Sequence, residues 1–131
     1  MVPYSKRSES KLLVVDKARE LAIHTIHICN NEKHFPKRYR WCLTNKIVEC
    51  VLAISNYCEM ANSVYVQTNE DYLLRRKYQT LALAETYALY NMIEISKAVF
   101  GIEVGKATYW AELVANLQGL IRNWKKSEKK P

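Results

Sequence analysis

Apolar residues recur along most of the chain at alternating spacings of three and four, the period that places them on one face of an α-helix in a left-handed bundle. The pattern predicts four helices, at about residues 10–30, 36–61, 69–100 and 104–125. Their core positions are Val14, Ala18, Leu21, Thr25 and Ile28; Ile47, Val51, Ile54, Cys58 and Ala61; Leu74, Tyr78, Leu81, Glu85, Ala88, Met92 and Val99; and Ala107, Trp110, Val114, Leu117, Ile121 and Trp124. The chain is therefore predicted to be all-α.

Residues that start and stop helices support these boundaries. Pro36 fits the first turn of a helix, where an N–H group has no helical partner. Thr68 and Asp71 have the spacing of a capping box, and Gly101 can supply the left-handed residue that ends a helix. Because the connections are short, we expect one domain over residues 1–131, an up-down-up-down antiparallel four-helix bundle with a basic C-terminal tail.

The composition gives this bundle a strong positive charge. The net charge is +7 and the pI is near 9.3, so an acidic partner is expected, most simply nucleic acid. Three glycines and three prolines in 131 residues leave little room for the turns of a β-sheet. The alternative is a basic protein whose charge serves no specific partner.

Cysteine usage and hydropathy favour the cytoplasm. Cys42, Cys50 and Cys58 lie eight residues apart on one predicted helix, too far apart for disulfides, and no CxxC pair indicates zinc. With Cys29 they are predicted to be small core residues in a reducing compartment. Residues 1–11 lack the apolar segment of a signal peptide, and no apolar run reaches membrane-spanning length. We therefore expect a cytoplasmic protein that does not enter a membrane.

A cluster of cations follows Pro36. Lys37, Arg38 and Arg40 alternate with the aromatic residues Tyr39 and Trp41. The start of a helix favours acidic groups, so cations there indicate an anionic ligand or a protein partner. Basic groups beside planar side chains suit both phosphates and unstacked bases.

The predicted topology collects a second set of cations at one end of the bundle. The starts of helices 1 and 3 and the end of helix 4 meet there, with eleven basic and four acidic residues that account for the whole net charge. The basic residues are Lys6, Arg7, Lys11, Arg75, Arg76, Lys77, Arg122, Lys125, Lys126, Lys129 and Lys130. The alternative for Arg75–Lys77 is pairing with Glu70 and Asp71 one turn before.

Catalytic chemistry has little support in the sequence. A metal site at His24 and His27 would need further ligands from the facing helices. Those helices contain no Glu-x-x-His motif, so no metal is expected. Arg19 and His24 match the loose R-x4-H pattern of HEPN-type ribonucleases, but five residues subtend about 140° on a helix, so the side chains diverge. No nucleophile–base pair and no glycine-rich phosphate loop is present. We predict a protein that is not an enzyme and uses no cofactor.

Three segments resemble a known family of four-helix-bundle proteins. The run Phe35–Arg40, followed by Leu43 and Thr44, resembles its FPK-x-x-R signature. One branch is encoded in intervening sequences of 23S ribosomal RNA genes, and another comprises the accessory variability determinants of diversity-generating retroelements. Residues 102–110 and the basic, tryptophan-containing segment 120–125 resemble the second branch. The resemblance covers the chain from about residue 11 onward.

This resemblance implies a non-enzymatic accessory protein that forms a ring-shaped homo-pentamer. It would bind a reverse transcriptase and template RNA, or DNA, and support mutagenic reverse transcription. The residues predicted to contact RNA or the polymerase are Lys37, Arg38, Arg40, Arg75, Arg76, Lys77, Arg122, Lys125 and Lys126. The alternatives are a bundle of the ribosomal intervening-sequence type, with an RNA-binding or other role, and a HEPN-type ribonuclease that uses Arg19 and His24.

Helix 3 also predicts an oligomer, independently of the resemblance. At 100° per residue, one set of residues lies opposite its predicted core face: Gln79, Leu83, Thr86, Tyr90, Glu94 and Lys97. Leu83 and Tyr90 make this face partly apolar, and a helix that is apolar on nearly all sides is buried on nearly all sides. We therefore predict that a second subunit covers Leu83 and Tyr90. The alternative is that apolar residues are scattered on the surface, as in many monomers.

Overall fold

A computed structural model describes the backbone of residues 4–131 and the side chains of residues 13–131. Its α-helices are α1 (Tyr4–Cys29), α2 (Asn45–Ser63), α3 (Asn69–Phe100) and α4 (Val104–Ser127). A 3-10 helix (Lys37–Tyr39) and a π-helix (Arg40–Thr44) precede α2. Residues 4–131 contain no β-strand, so the predicted all-α class is confirmed.

The four helices form an antiparallel bundle in which each helix packs against the next, and α4 packs against α1. Near the end of α1, the Thr25 hydroxyl accepts a 2.9 Å hydrogen bond from the indole N–H of Trp110, near the start of α4. At the opposite end, Arg76 in α3 donates to the carbonyl of Lys125 in α4 at 3.2 Å. The helices are therefore arranged as the predicted four-helix bundle.

The core of the bundle follows the predicted pattern in three helices. All predicted core positions of α2 and α4 are buried, and so are those of α1 except Ile28, which is partly buried. Trp110 is the largest fully buried side chain, and it lies among the apolar residues of α1 and α4. Burial of these single apolar stripes is what holds the helices together.

In α3 the buried face lies one residue later than predicted, a rotation of about 100°. The buried residues are Arg75, Gln79, Ala82, Thr86, Leu89, Ile93 and Ser96. The prediction was wrong because it assigned large apolar side chains such as Tyr78 and Met92 to the core centre, whereas they flank it. Several buried polar groups are accommodated locally: the hydroxyls of Thr86 and Ser96 donate to backbone carbonyls of α3, at 2.6 and 2.8 Å.

The ends of α3 have the predicted capping residues. The Thr68 hydroxyl accepts from the N–H of Asp71, and the Asp71 carboxylate accepts from the N–H groups of Gln67 and Thr68, each at 3.1 Å. These backbone donors hold the pKa of Asp71 below its usual range. At the other end Gly101 has φ 63°, the left-handed conformation that a helix stop requires.

The predicted second helix is not continuous from Pro36. Pro36 has extended backbone angles (φ −57°, ψ 142°), and a 3-10 turn and a π turn follow before regular α-helix begins at Asn45. Phe35 and Tyr39 both pack edge-on against Phe100, with ring centroids 5.1 Å apart in each case. The segment that carries these rings packs against the end of α3, and it does not extend α2 as a regular α-helix. α1 also begins earlier than predicted, at Tyr4.

All four cysteines are free thiols. Cys29, Cys50 and Cys58 are buried as predicted, and burial raises the pKa of each thiol to about 12. The prediction was wrong for Cys42, which is exposed and donates to the carbonyl of Tyr39 at 3.5 Å. From residue 4 onward, no helix combines the length and the apolar character needed to cross a membrane.

Candidate nucleic-acid interface

The connection from α1 to α2 is a compact turn organised by Asn31. The carbonyl of Asn31 accepts hydrogen bonds from the N–H groups of His34 and Phe35, at 3.1 and 2.9 Å. Phe35 is buried, and its ring packs edge-on against Phe100 and Trp110 with centroid distances of 5.1 and 6.0 Å. This anchor holds the start of the basic segment against the end of α3 and the start of α4.

Four exposed side chains project from the 3-10 and π turns, and we call them the basic turn: Lys37, Arg38, Arg40 and Trp41. Trp41 is 82% exposed, an unusual environment for an indole ring. Tyr39 lies against Phe100 instead, and its ring is 5.1 Å from the Arg38 guanidinium carbon. The π-helix that carries Trp41 is a rare conformation that occurs often at functional sites.

The cations of the basic turn are largely free of carboxylates. Lys37 forms a 3.3 Å ion pair with Glu32, and both side chains are mostly exposed, so this pair is weak. Arg38 and Arg40 have no ion-pair partner among the side chains of residues 13–131. Their donors therefore remain available to an anionic partner.

The structure corrects the predicted surface role of Arg75. The residue is 6% exposed. The guanidinium group donates to the carbonyls of Ala61 (3.1 Å) and Val64 and to the carboxylate of Glu128 (2.9 Å). Because α3 is rotated from its predicted orientation, Arg75 faces the core and closes the end of the bundle, where it cannot contact RNA or a polymerase.

Five of the other predicted cations at this end lie on α3 and α4, and we call them the far-end cations: Arg76, Lys77, Arg122, Lys125 and Lys126. Lys129 and Lys130, which follow α4, are exposed. Arg76 is half-buried and donates to the hydroxyl of Tyr72 at 3.1 Å. Arg122 is exposed, with its guanidinium carbon 5.5 Å from the ring centroid of Tyr87. The predicted contributions of Lys6, Arg7 and Lys11 lie outside the residues whose side chains are described.

The basic turn and the far-end cations lie at opposite ends of the bundle. Phe100, which contacts the basic turn segment, and Arg76 are 24 residues apart on the same helix, which corresponds to about 36 Å. The bundle therefore presents two separate basic surfaces and not one continuous site.

The two residues of the R-x4-H pattern face different neighbours. Arg19 forms ion pairs with Asp16 on α1 (3.7 Å) and Glu59 on α2 (3.5 Å), whereas His24 packs edge-on against Tyr109 on α4, with centroids 5.2 Å apart. Burial, and to a lesser extent the nearby His27, lowers the pKa of His24, so its imidazole is neutral at neutral pH. One chain does not bring Arg19 and His24 together. Among the side chains of residues 13–131, no group of three or more His, Cys, Asp or Glu could hold a metal ion.

Comparisons of the chain with protein-family models, curated proteins and solved structures find no match. The positions and exposure of the residues on the two basic surfaces are therefore the main guide to function.

One contact near the basic turn was not predicted. The ammonium group of Lys106, in the first turn of α4, donates to Nε2 of His34 at 3.2 Å. The two residues are 72 positions apart, so no local pattern connects them. The first turn of α4 contains no acidic residue, but Glu103 immediately precedes it, so the sequence around Lys106 gave no signal for a contact with His34.

Proposed function

We propose that this chain is a non-enzymatic accessory protein that binds single-stranded RNA and a reverse transcriptase, as in a diversity-generating retroelement. The observation that carries the RNA-binding proposal is Trp41, which is 82% exposed beside Lys37, Arg38 and Arg40 on a segment anchored by Phe35. Exposed cations bind phosphates, and an exposed indole stacks on an unpaired base. The basic turn supplies both.

The far-end cations support the second half of the proposal. They include exposed charges, Lys77, Arg122 and Lys126, but an arginine guanidinium already lies over the ring of each aromatic neighbour, Tyr72 and Tyr87. We assign RNA to the basic turn and the polymerase to the far-end cations. A separation of about 36 Å would let one subunit hold both partners at once. The resemblance of residues 35–44 to the wider family, and of residues 102–110 and 120–125 to its accessory variability determinants, favours the same role.

RNA affinity of the basic turn can be tested by fluorescence anisotropy with a labelled single-stranded RNA. Replacing Lys37, Arg38 and Arg40 together by alanine should weaken binding by tenfold or more and reduce the slope of log affinity against log salt by about 2, since each phosphate contact contributes about 0.7. Helicity and melting temperature should stay unchanged, because all three side chains are exposed.

A matched control separates the basic turn from net charge. Lys17, Lys46 and Lys97 are exposed, scattered over three helices, and their joint replacement by alanine removes the same charge. This control variant should keep most of the RNA affinity. Equal losses in both variants would contradict a specific site at the basic turn.

The same preparations distinguish the alternative functions. RNA binding without co-purification of a co-expressed reverse transcriptase would favour a bundle of the ribosomal intervening-sequence type. RNA cleavage that disappears in His24→Ala would favour a nuclease instead. Replacement of Lys77, Arg122 and Lys126 should reduce polymerase co-purification and leave RNA affinity nearly unchanged.

We also propose that the chain forms a homo-oligomer through α3, and a pentamer is what the resemblance implies. The predicted interface residue Leu83 is partly buried against the core, so it is not an outward residue, whereas Tyr90 is 45% exposed. Counting from the observed core face, the outward direction of α3 holds Thr80, Ala84, Tyr87, Ala88, Asn91, Ile95 and Ala98. All are exposed and none is charged. An uncharged face is where two copies of a strongly basic chain can meet.

A further inference from the structure

A cavity of about 440 Å³ lies at the same end of the bundle as the basic turn. Its walls come from the last turns of α1, from the connection at Asn31 and His34, and from the start of α4. Sites for small molecules commonly have volumes of about 300–1,000 Å³ and are lined mainly by apolar side chains with a few polar groups. This cavity is within that size range, and it combines apolar walls with six polar or charged residues among the eleven that line it.

The apolar part of the lining is flat and held in place. Ile28, Ile102 and Trp110 form buried or partly buried walls, and Tyr109 lies beside them at the surface. The Trp110 ring is fixed by the hydrogen bond from its N–H to the Thr25 hydroxyl at 2.9 Å. A planar ring can therefore pack here without rearrangement of the core.

The polar part of the lining can hold an anionic group. Lys106 and His27 are exposed cavity residues, and Gly105, also in the first turn of α4, lines the same region. Glu103, the residue before α4, makes no side-chain capping hydrogen bond, so the N–H groups of this turn receive none from it. A helix start without such a cap, beside a lysine, is suited to phosphate.

Two further groups select for a ligand that also carries N–H donors or ring nitrogens. Nε2 of His24 is buried and has no hydrogen-bond partner in the described structure, and an unpaired buried polar atom is unfavourable. The carboxylate of Glu103 also lines the cavity and would repel a simple anion. A nucleobase has the planar shape for the apolar walls and the nitrogens for these two residues.

We propose that the cavity binds one nucleotide, with its base against Tyr109 and Ile28 and its phosphate at Lys106 and the start of α4. The nucleotide is either a free nucleoside monophosphate or one nucleotide of a bound RNA. The second source depends on the proposed RNA-binding function, because the basic turn would then hold the neighbouring phosphates.

Isothermal titration calorimetry with the full chain tests the site without RNA. The four common nucleoside 5′-monophosphates, inorganic phosphate and the four nucleosides are titrated separately. At least one monophosphate should bind, and both phosphate and the matching nucleoside should bind at least tenfold more weakly. Lys106→Ala should weaken binding about tenfold or more, because it removes a charged hydrogen-bond donor. Lys97→Ala, an exposed lysine on α3, is the matched control and should leave binding unchanged.

The outcomes separate this site from the basic turn. Monophosphate binding should persist when Lys37, Arg38 and Arg40 are replaced by alanine, whether or not that variant still binds RNA. Competition between the monophosphate and RNA, with weaker RNA binding in Lys106→Ala, would assign the RNA source, and its absence would assign the free nucleotide. No binding of any monophosphate at millimolar concentration, or equally strong binding of inorganic phosphate, would overturn the proposal.

Discussion

Arg75 uses its guanidinium group to tie the α2–α3 connection to the last residues of the chain. It donates to the carbonyls of Ala61 and Val64 and to Oε1 of Glu128, and the same Oε1 accepts a 2.8 Å hydrogen bond from the indole N–H of Trp124. The side chains of Arg75 and Glu128 are 7% and 16% exposed, so little solvent screens this pair. Arg75 therefore stabilises the fold, although the basic residues that follow it in sequence lie at the surface.

Replacing Arg75 by methionine should lower the free energy of unfolding by about 3 kcal/mol, because the buried carboxylate of Glu128 would lose its cationic partner and the carbonyls of Ala61 and Val64 would lose the guanidinium donors. Lys77→Met, which removes the same charge from an exposed position of α3, should change it by no more than about 0.5 kcal/mol. Urea denaturation followed by circular dichroism measures both. An Arg75→Met variant as stable as the wild type would contradict the structural role.

The sequence alone could not separate Arg75 from Arg76 and Lys77. All three are long basic side chains in consecutive positions, and a solvated cluster is the usual role of such a run. Which of them turns inward depends on the rotation of α3, and that rotation is set by packing against α2 and α4. The basic turn was easier to predict, because its aromatic and basic residues are close in sequence and the observed segment exposes the cations together.

Among the structural elements, the π-helix before α2 has the most direct functional consequence. It places Trp41 in solvent while Tyr39, two residues earlier, packs against Phe100. A continuous helix from Pro36, as predicted, would give these side chains different directions, because both intervening turns depart from the 100° spacing of an α-helix. The local conformation therefore decides which aromatic ring can meet a base.

Trp41→Ala should weaken single-stranded RNA binding by about 10- to 100-fold, since stacking on one aromatic side chain contributes about 1–3 kcal/mol per base. The melting temperature should hardly change, because the ring makes few contacts within the chain. Tyr65→Ala is a suitable control: Tyr65 is 76% exposed but lies in the α2–α3 connection at the other end of the bundle. Equal RNA affinity of wild type and Trp41→Ala would exclude stacking on Trp41.

The number of apolar stripes on each helix explains why three helices were predicted well and α3 was not. Helices α1, α2 and α4 each have one dominant apolar stripe, so their core faces could be identified from spacing. α3 has two competing stripes about 100° apart, one through Tyr78 and Met92 and one through Leu89 and Ile93. The second also contains Gln79, whose side-chain amide is buried without a partner in the described structure. Propensity and hydrophobicity do not anticipate such a burial, which tertiary packing imposes.

At the scale of the whole molecule, charge separates the two basic surfaces, proposed to bind RNA and a polymerase, from the face of α3 that is proposed to bind another copy. The cations of the basic turn and the far-end cations lie toward the two ends of the bundle, whereas none of the outward residues of α3 between Thr80 and Ala98 is charged. The one described cation stacked on this face is Arg122, whose guanidinium carbon is 5.5 Å from the ring centroid of Tyr87. Two chains of net charge +7 repel each other, so the uncharged face offers the least unfavourable approach. Its exposed apolar side chains, Tyr87 and Ile95, provide area to bury.

Self-association and RNA binding should therefore respond to salt in opposite directions. Raising the salt concentration from about 0.1 to 0.5 M screens the repulsion between basic subunits and should preserve or increase the oligomer mass, while it weakens contacts with RNA phosphates.

Light scattering should show a wild type larger than the 15.3 kDa chain. The double substitution Ala84→Glu and Ile95→Glu should give a smaller, still helical species, because it places carboxylates in the interface. Leu52→Glu with Ala115→Glu changes two exposed residues of α2 and α4 by the same charge and should leave the mass unchanged. A wild type that remains a monomer at high protein and high salt concentration would contradict the α3 interface, whatever its affinity for RNA.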